Sequence, residues 1–134
     1  HKDLGGKTML YLIDALYPAL HQSLAPKPWQ SAPFDGHWTA SVFASQDPVA
    51  IESVAVDFFA AEKTAYRMVG AVDNYLHEAA LAGRPPSGTR YDPTRSGTRP
   101  ASLGVHEHWN SPEKKQYSRN LGTGKGIELI RGEG

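Results

Sequence analysis

The residues best suited to chemistry in this chain are His106 and His108, set in the segment Gly104-Val105-His106-Glu107-His108-Trp109-Asn110. In an extended segment alternate side chains share a face, so the two imidazoles would project together while Glu107 points away and serves structure. Two neutral imidazoles on one face can grip a transition metal, or place a proton donor beside a bound anion. The same pair could instead bond to backbone and pack against Trp109. Asp73 and His77 lie four apart in a helical stretch and therefore on one face, where they form either two further ligands or a solvated ion pair. Asp14 ends the apolar run Thr8 to Ile13. An acid at the carboxyl end of a strand in an open α/β sheet sits where ligands collect, although a turn role suits it equally. The candidate site is therefore His106 and His108 with Asp14 as catalytic groups, Asp73 and His77 as additional metal ligands, and Arg119 as an anion-binding cation.

These residues need a scaffold, and the pattern of the chain suggests one. The run Thr8 to Ile13 suits a buried strand, with a helix continuing to Leu20 as the competitor. Pro26, Pro28 and Pro33 deny Ala25 to Gly36 a regular element. Trp38 to Ala44 alternates as a second strand, with Trp38 expected in the core. Asp47-Pro48 is a cap followed by a proline suited to the first helical position, and predicts a mostly buried helix to Ala61. Glu52, Ser53 and Asp57 form its narrow polar stripe, with Asp57 expected at the helix surface. A second helix is predicted from Tyr66 to Ala82, ended by Gly83 and the prolines beyond it. Residues 84–100 read as an irregular loop, and Ile127 to Ile130 as a closing strand. The fold class expected is α/β or α+β, with a few-stranded sheet, two main helices and long irregular loops.

Bulk properties exclude several function classes. The 134 residues carry 14 basic and 14 acidic side chains, so no global field draws in nucleic acid. The balance conceals local charge: residues 47–83 hold six acids against two bases, and 84–100 four arginines against Asp92. Those arginines could receive carboxylate or phosphate groups, or simply be solvated. Cysteine is absent, which excludes thiolate metal sites, iron–sulfur clusters and cysteine nucleophiles within the chain. Any metal must be held by His, Asp or Glu, and a divalent ion is the cofactor to expect. Gly122 to Gly126 precedes a strand-like run, whereas phosphate-binding glycine loops open a helix, so a nucleotide role is not expected. Trp29, Trp38 and Trp109 could provide a stacking platform. No apolar run reaches the ~20 residues needed to span a bilayer.

Several segments resemble the bacterial and archaeal family called domain of unknown function 362. They are His1 to Thr8, Leu12 to Tyr17, Ser45 to Glu52, Tyr75-Leu76-His77, Leu103 to Asn110 and Gln116 to Gly122. The length of 134 residues suits one domain, and the resemblance implies that it is the carboxyl-terminal part of a longer protein whose remainder would be a partner. The resemblance also implies an exported bacterial protein. It supplies no reaction. The expected function is a metal-assisted or acid–base reaction on a small anionic or hydroxylated substrate. The alternative is a non-catalytic module binding sugar, anion or protein.

Overall fold

The computed structural model describes residues 7–19, 21, 23–62 and 71–132. Within them the order is β1 (Tyr11–Ala15), β2 (Ser41–Ser45), α1 (Pro48–Ala61) and α2 (Ala71–Ala80). The strands pair antiparallel, with Ile13 opposite Phe43. This is a small α+β fold, and the helices rather than the sheet position its polar centre. A two-stranded sheet is marginal alone. Here Phe43 packs on Phe58 of α1, with ring centroids 5.5 Å apart, and ties the hairpin to the helix.

α1 begins where the cap–proline pair predicts. Asp47 Oδ1 accepts hydrogen bonds from the amides of Val49 and Ala50, both at 2.9 Å. The helix is apolar on two sides and has a partner for each. Val54 and Phe58 join Trp29, Tyr117 and Ile127 in one core cluster, while Val49 and Val56 meet Leu76 of α2 in another. Of the polar stripe, Glu52 is exposed, whereas Ser53 and Asp57 are buried. Asp57 is thus not at the helix surface as expected. Its carboxylate is surrounded by partners from residues 108–117.

Asp47 does a second job. Its Oδ2 accepts from the Val105 amide at 2.8 Å, which fastens the histidine segment to the start of α1. Gly104 permits this approach, because a Cβ there would lie 2.0 Å from Asp47 Oδ1. On the other side, Leu103 N donates to Ala79 O at 3.0 Å and Gly83 N to Ala101 O at 3.1 Å. Residues 101–109 are therefore strapped between the end of α2 and the length of α1.

Three expectations are corrected. Trp38 is 42% exposed and stacks edge-on against Tyr17, because Phe43 rather than Trp38 faces the helix. Residues 127–130 form no strand; the Ile127 amide donates to the Glu107 carboxylate at 2.7 Å instead of to a ladder. The three tryptophans make no shared platform, since Trp29 is buried and Trp109 packs against Phe58. Residues 84–100 hold no helix or strand, as their prolines and glycines predict. The predicted start of the second helix, residues 66–70, lies outside the described residues.

Candidate metal centre

The helix and the extended segment match in spacing. Four residues along a helix rise ~6 Å, and two residues of extended chain span ~6.6 Å. Ser53 and Asp57 can therefore each meet a histidine two apart in sequence. Ser53 Oγ lies 2.8 Å from His106 Nδ1. Asp57 Oδ1 lies 2.7 Å from His108 Nδ1.

These contacts determine the ring tautomers. The Ser53 hydroxyl donates its single proton to the Val49 carbonyl at 2.7 Å. Towards His106 it can only accept, so Nδ1 carries the proton and Nε2 of the neutral ring is a bare lone pair. A carboxylate only accepts, so His108 Nδ1 likewise donates to Asp57. Asp57 also receives the Trp109 amide at 3.0 Å and the Tyr117 hydroxyl at 2.9 Å, which makes it a fully engaged anchor. Burial, together with the adjacent Asp57 charge, pushes the Tyr117 phenol far above its usual range, so it remains a donor.

The Nε2 atoms of both rings converge on α2. His106 Nε2 and His108 Nε2 each lie 3.0 Å from Asp73 Oδ1, and His77 Nε2 lies 3.6 Å from Asp73 Oδ2. The ring centroids of His77 and His106 are 4.4 Å apart, and those of His106 and His108 are 4.9 Å apart. The His106 side chain is 1% exposed, whereas those of His77, His108 and Asp73 are between 40% and 51% exposed. One ligand is rooted in the core and the rest face outward.

His106 Nε2 is buried, close to a carboxylate, and makes no hydrogen bond of acceptable geometry. A lone pair aimed at a carboxylate oxygen 3.0 Å away is repulsive unless a cation lies between them. Burial lowers the His106 pKa and the charges of His77 and His108 lower it further; together they outweigh the upward pull of Asp73, which disfavours a proton as that cation. Burial also pulls His108 down, but its hydrogen bonds and Coulombic attraction to Asp57 and Asp73 outweigh this and raise it.

Ligand atoms of Asp73, His77 and His106 lie within 4.8 Å of one another and could hold a metal ion. A tetrahedron with ~2.0 Å arms has edges near ~3.3 Å. Closing to that size asks for modest movement of the outward-facing side chains. The ligand set is imidazole and carboxylate, the chemistry of zinc and its neighbours. The carboxylate and hydroxyl that fix the two Nδ1 atoms are the outer support that metal-binding histidines ordinarily have.

A cavity of about 310 Å³ opens beside His77 and His106. Arg119 also lines it, donating from Nη1 to the His106 carbonyl at 3.3 Å. Of the residues singled out from sequence, His106, His108, Asp73 and His77 come together, with Arg119 at the edge. Asp14 does not join them. It lies on the sheet opposite Val42 and caps its own turn by accepting from Leu16 N at 3.0 Å. The sheet is antiparallel, so the strand-end rule that raised Asp14 does not apply. Arg84, Arg90, Arg95 and Arg99 lie outside the cavity lining. Sequence reasoning missed Ser53 and misjudged Asp57. The available signal was their i, i+4 spacing on an otherwise apolar helix.

No family model, curated protein or solved structure matches this chain. Among the described residues, no helix is long and apolar enough to cross a membrane.

Proposed function

We propose that this domain binds a divalent transition metal of the zinc type through His106, His108, Asp73 and His77, and that the centre acts on a small anionic or hydroxylated substrate. The observation that carries the reading is the bare Nε2 of His106, buried and turned towards Asp73 without a hydrogen bond. Ser53 and Asp57 hold the two rings with Nε2 directed at the common point. A bound ion would polarise a substrate oxygen, while Asp73 and the histidines orient it and the neighbouring cavity receives the rest of the molecule. The resemblance to domain of unknown function 362 forms part of this proposal and names no reaction.

A second reading has one observation in its favour. His108 Nε2 is in hydrogen-bonding geometry with Asp73 at 3.0 Å while Nδ1 contacts Asp57, the arrangement of an imidazolium held between two carboxylates. In that reading His108 is a general acid and no metal is required. Elemental analysis of protein purified without chelator or histidine tag, followed by zinc titration of the chelator-stripped chain, separates the two. The metal reading expects near one equivalent of bound ion and loss of binding in His106→Ala. A chain that takes up no zinc, cobalt or nickel refutes it.

A further inference from the structure

We infer that the cavity beside the metal centre is a binding site for a small monocarboxylate with a short apolar body. The inference rests on the metal reading and goes beyond it by assigning the ligand class.

The cavity has three kinds of wall. His77 and His106 form the side shared with the metal cluster, Leu81 and Val105 supply apolar surface, and Arg119 lies at the edge. Its volume, about 310 Å³, is at the small end of the ~300–1,000 Å³ range of small-molecule sites. Arg119 is the cation among these lining residues. It is tethered through the His106 carbonyl at 3.3 Å and lies 3.9 Å from the Glu107 carboxylate, yet its side chain remains 56% exposed. A guanidinium has five donors in a planar fork, and these contacts leave an outer edge suited to two carboxylate oxygens.

The donor inventory selects carboxylate over phosphate. A phosphate dianion has three oxygens to satisfy and ordinarily draws on several donors. Here the hydroxyl in the lining, that of Ser102, already donates to Gly104 O at 2.7 Å and accepts from Gly104 N at 3.1 Å. One arginine fork and a metal position match one carboxylate. The charge balance agrees: a divalent ion with Asp73 leaves one net positive charge, and Arg119 is offset by the Glu107 carboxylate 3.9 Å away, so these groups together match a single negative charge. The Leu81 and Val105 side chains then cover the hydrocarbon part, each buried methylene contributing about a fourfold gain in affinity.

The test is calorimetric titration of the zinc-loaded protein with acetate, butyrate, hexanoate and inorganic phosphate. Wild type is compared with Arg119→Gln and Leu81→Ser. Affinity is expected to rise at least tenfold from acetate to hexanoate. Arg119→Gln should weaken butyrate about tenfold or more while zinc uptake stays intact, and Leu81→Ser should flatten the dependence on chain length. Equal affinity along the series, phosphate binding tighter than butyrate, or Arg119→Gln behaving as wild type overturns the assignment. Zinc titration of the same sample is read first. If zinc does not bind, the metal reading has failed by itself. The carboxylate series on chelator-treated protein then decides the cavity: Arg119-dependent, length-dependent binding upholds it and absence of binding overturns it.

Discussion

Asp57 holds His108 through a 2.7 Å contact to Nδ1, one helical turn along α1 from the serine that holds His106. The buried carboxylate and the half-exposed imidazole are 51 residues apart in sequence, and neither makes sense alone. Asp57 sits on a helix that is otherwise apolar, where an unpartnered carboxylate would cost several kcal/mol. Its three partners, His108, Trp109 N and Tyr117, make burial tolerable and fix where the imidazole points.

Replacing Asp57 by Asn should leave the helix in place but loosen His108. An amide retains one acceptor oxygen where three donors converge. Zinc affinity is expected to fall 10- to 100-fold, the usual effect of removing such a supporting carboxylate. Tyr117→Phe removes one donor to the same carboxylate while leaving the His108 contact, and should change zinc affinity less than threefold. Competition against a chromophoric chelator measures both. Equal losses would show that Asp57 acts through packing alone.

Ser53→Ala probes the tautomer. Without the hydroxyl acceptor, the proton on His106 Nδ1 loses its partner and the ring is freer to carry it on Nε2, facing Asp73. Nitrogen chemical shifts of the metal-free protein should report mainly the Nδ1–H form in wild type and a shift towards Nε2–H in the variant. Zinc affinity should fall with it.

The two histidines should titrate in opposite directions in chelator-treated protein. His106 is expected below its ordinary value of 6.5 and His108 above it. The stability consequences follow by linkage. The His108 contribution is fully present below pH ~6.5 and is lost as pH rises through its raised folded value. For His106 the unfolded chain takes a proton that the folded chain refuses, so stability falls as pH drops below ~6.5 towards the lowered folded value. Proton NMR titration of the ring resonances checks both directions, and a shared midpoint would contradict them.

Gly104→Ala should be more harmful than Asp47→Ala. Loss of the cap is expected to cost about 1 kcal/mol, with some addition from the unpaired Val105 amide. A methyl at position 104 would lie 2.0 Å from Asp47 Oδ1 and 2.8 Å from Val49 Cβ. It would force the histidine segment off α1, at about 2–4 kcal/mol. Urea denaturation gives the two values. Zinc affinity should fall in step for Gly104→Ala, since the same segment carries His106 and His108.

Much of this molecule is written locally. The Asp47-Pro48 cap, the apolar run after it and the interruption at 84–100 depend on near neighbours, and α1 appears at Pro48–Ala61 as those signals dictate. The shared face of His106 and His108 follows from the two-residue period of an extended chain, and Asp73 with His77 from the helical turn. Absence of cysteine limits any metal to imidazole and carboxylate ligands. What periodicity could not convey is which surface each face meets. A polar stripe on an apolar helix reads as an exposed edge unless a distant segment covers it, and Ser53 and Asp57 are covered by residues 104–109. Phe43 rather than Trp38 turns inward for the same reason: the choice depends on Phe58 across the core. Ile127 gives its amide to Glu107 instead of a neighbouring strand. Residue types and spacing specified the candidate ligands; only the packing of α2 and the 101–109 segment against α1 brought their nitrogen and oxygen atoms to one point, because contacts between residues 29 to 53 positions apart are set by which buried surfaces fit together.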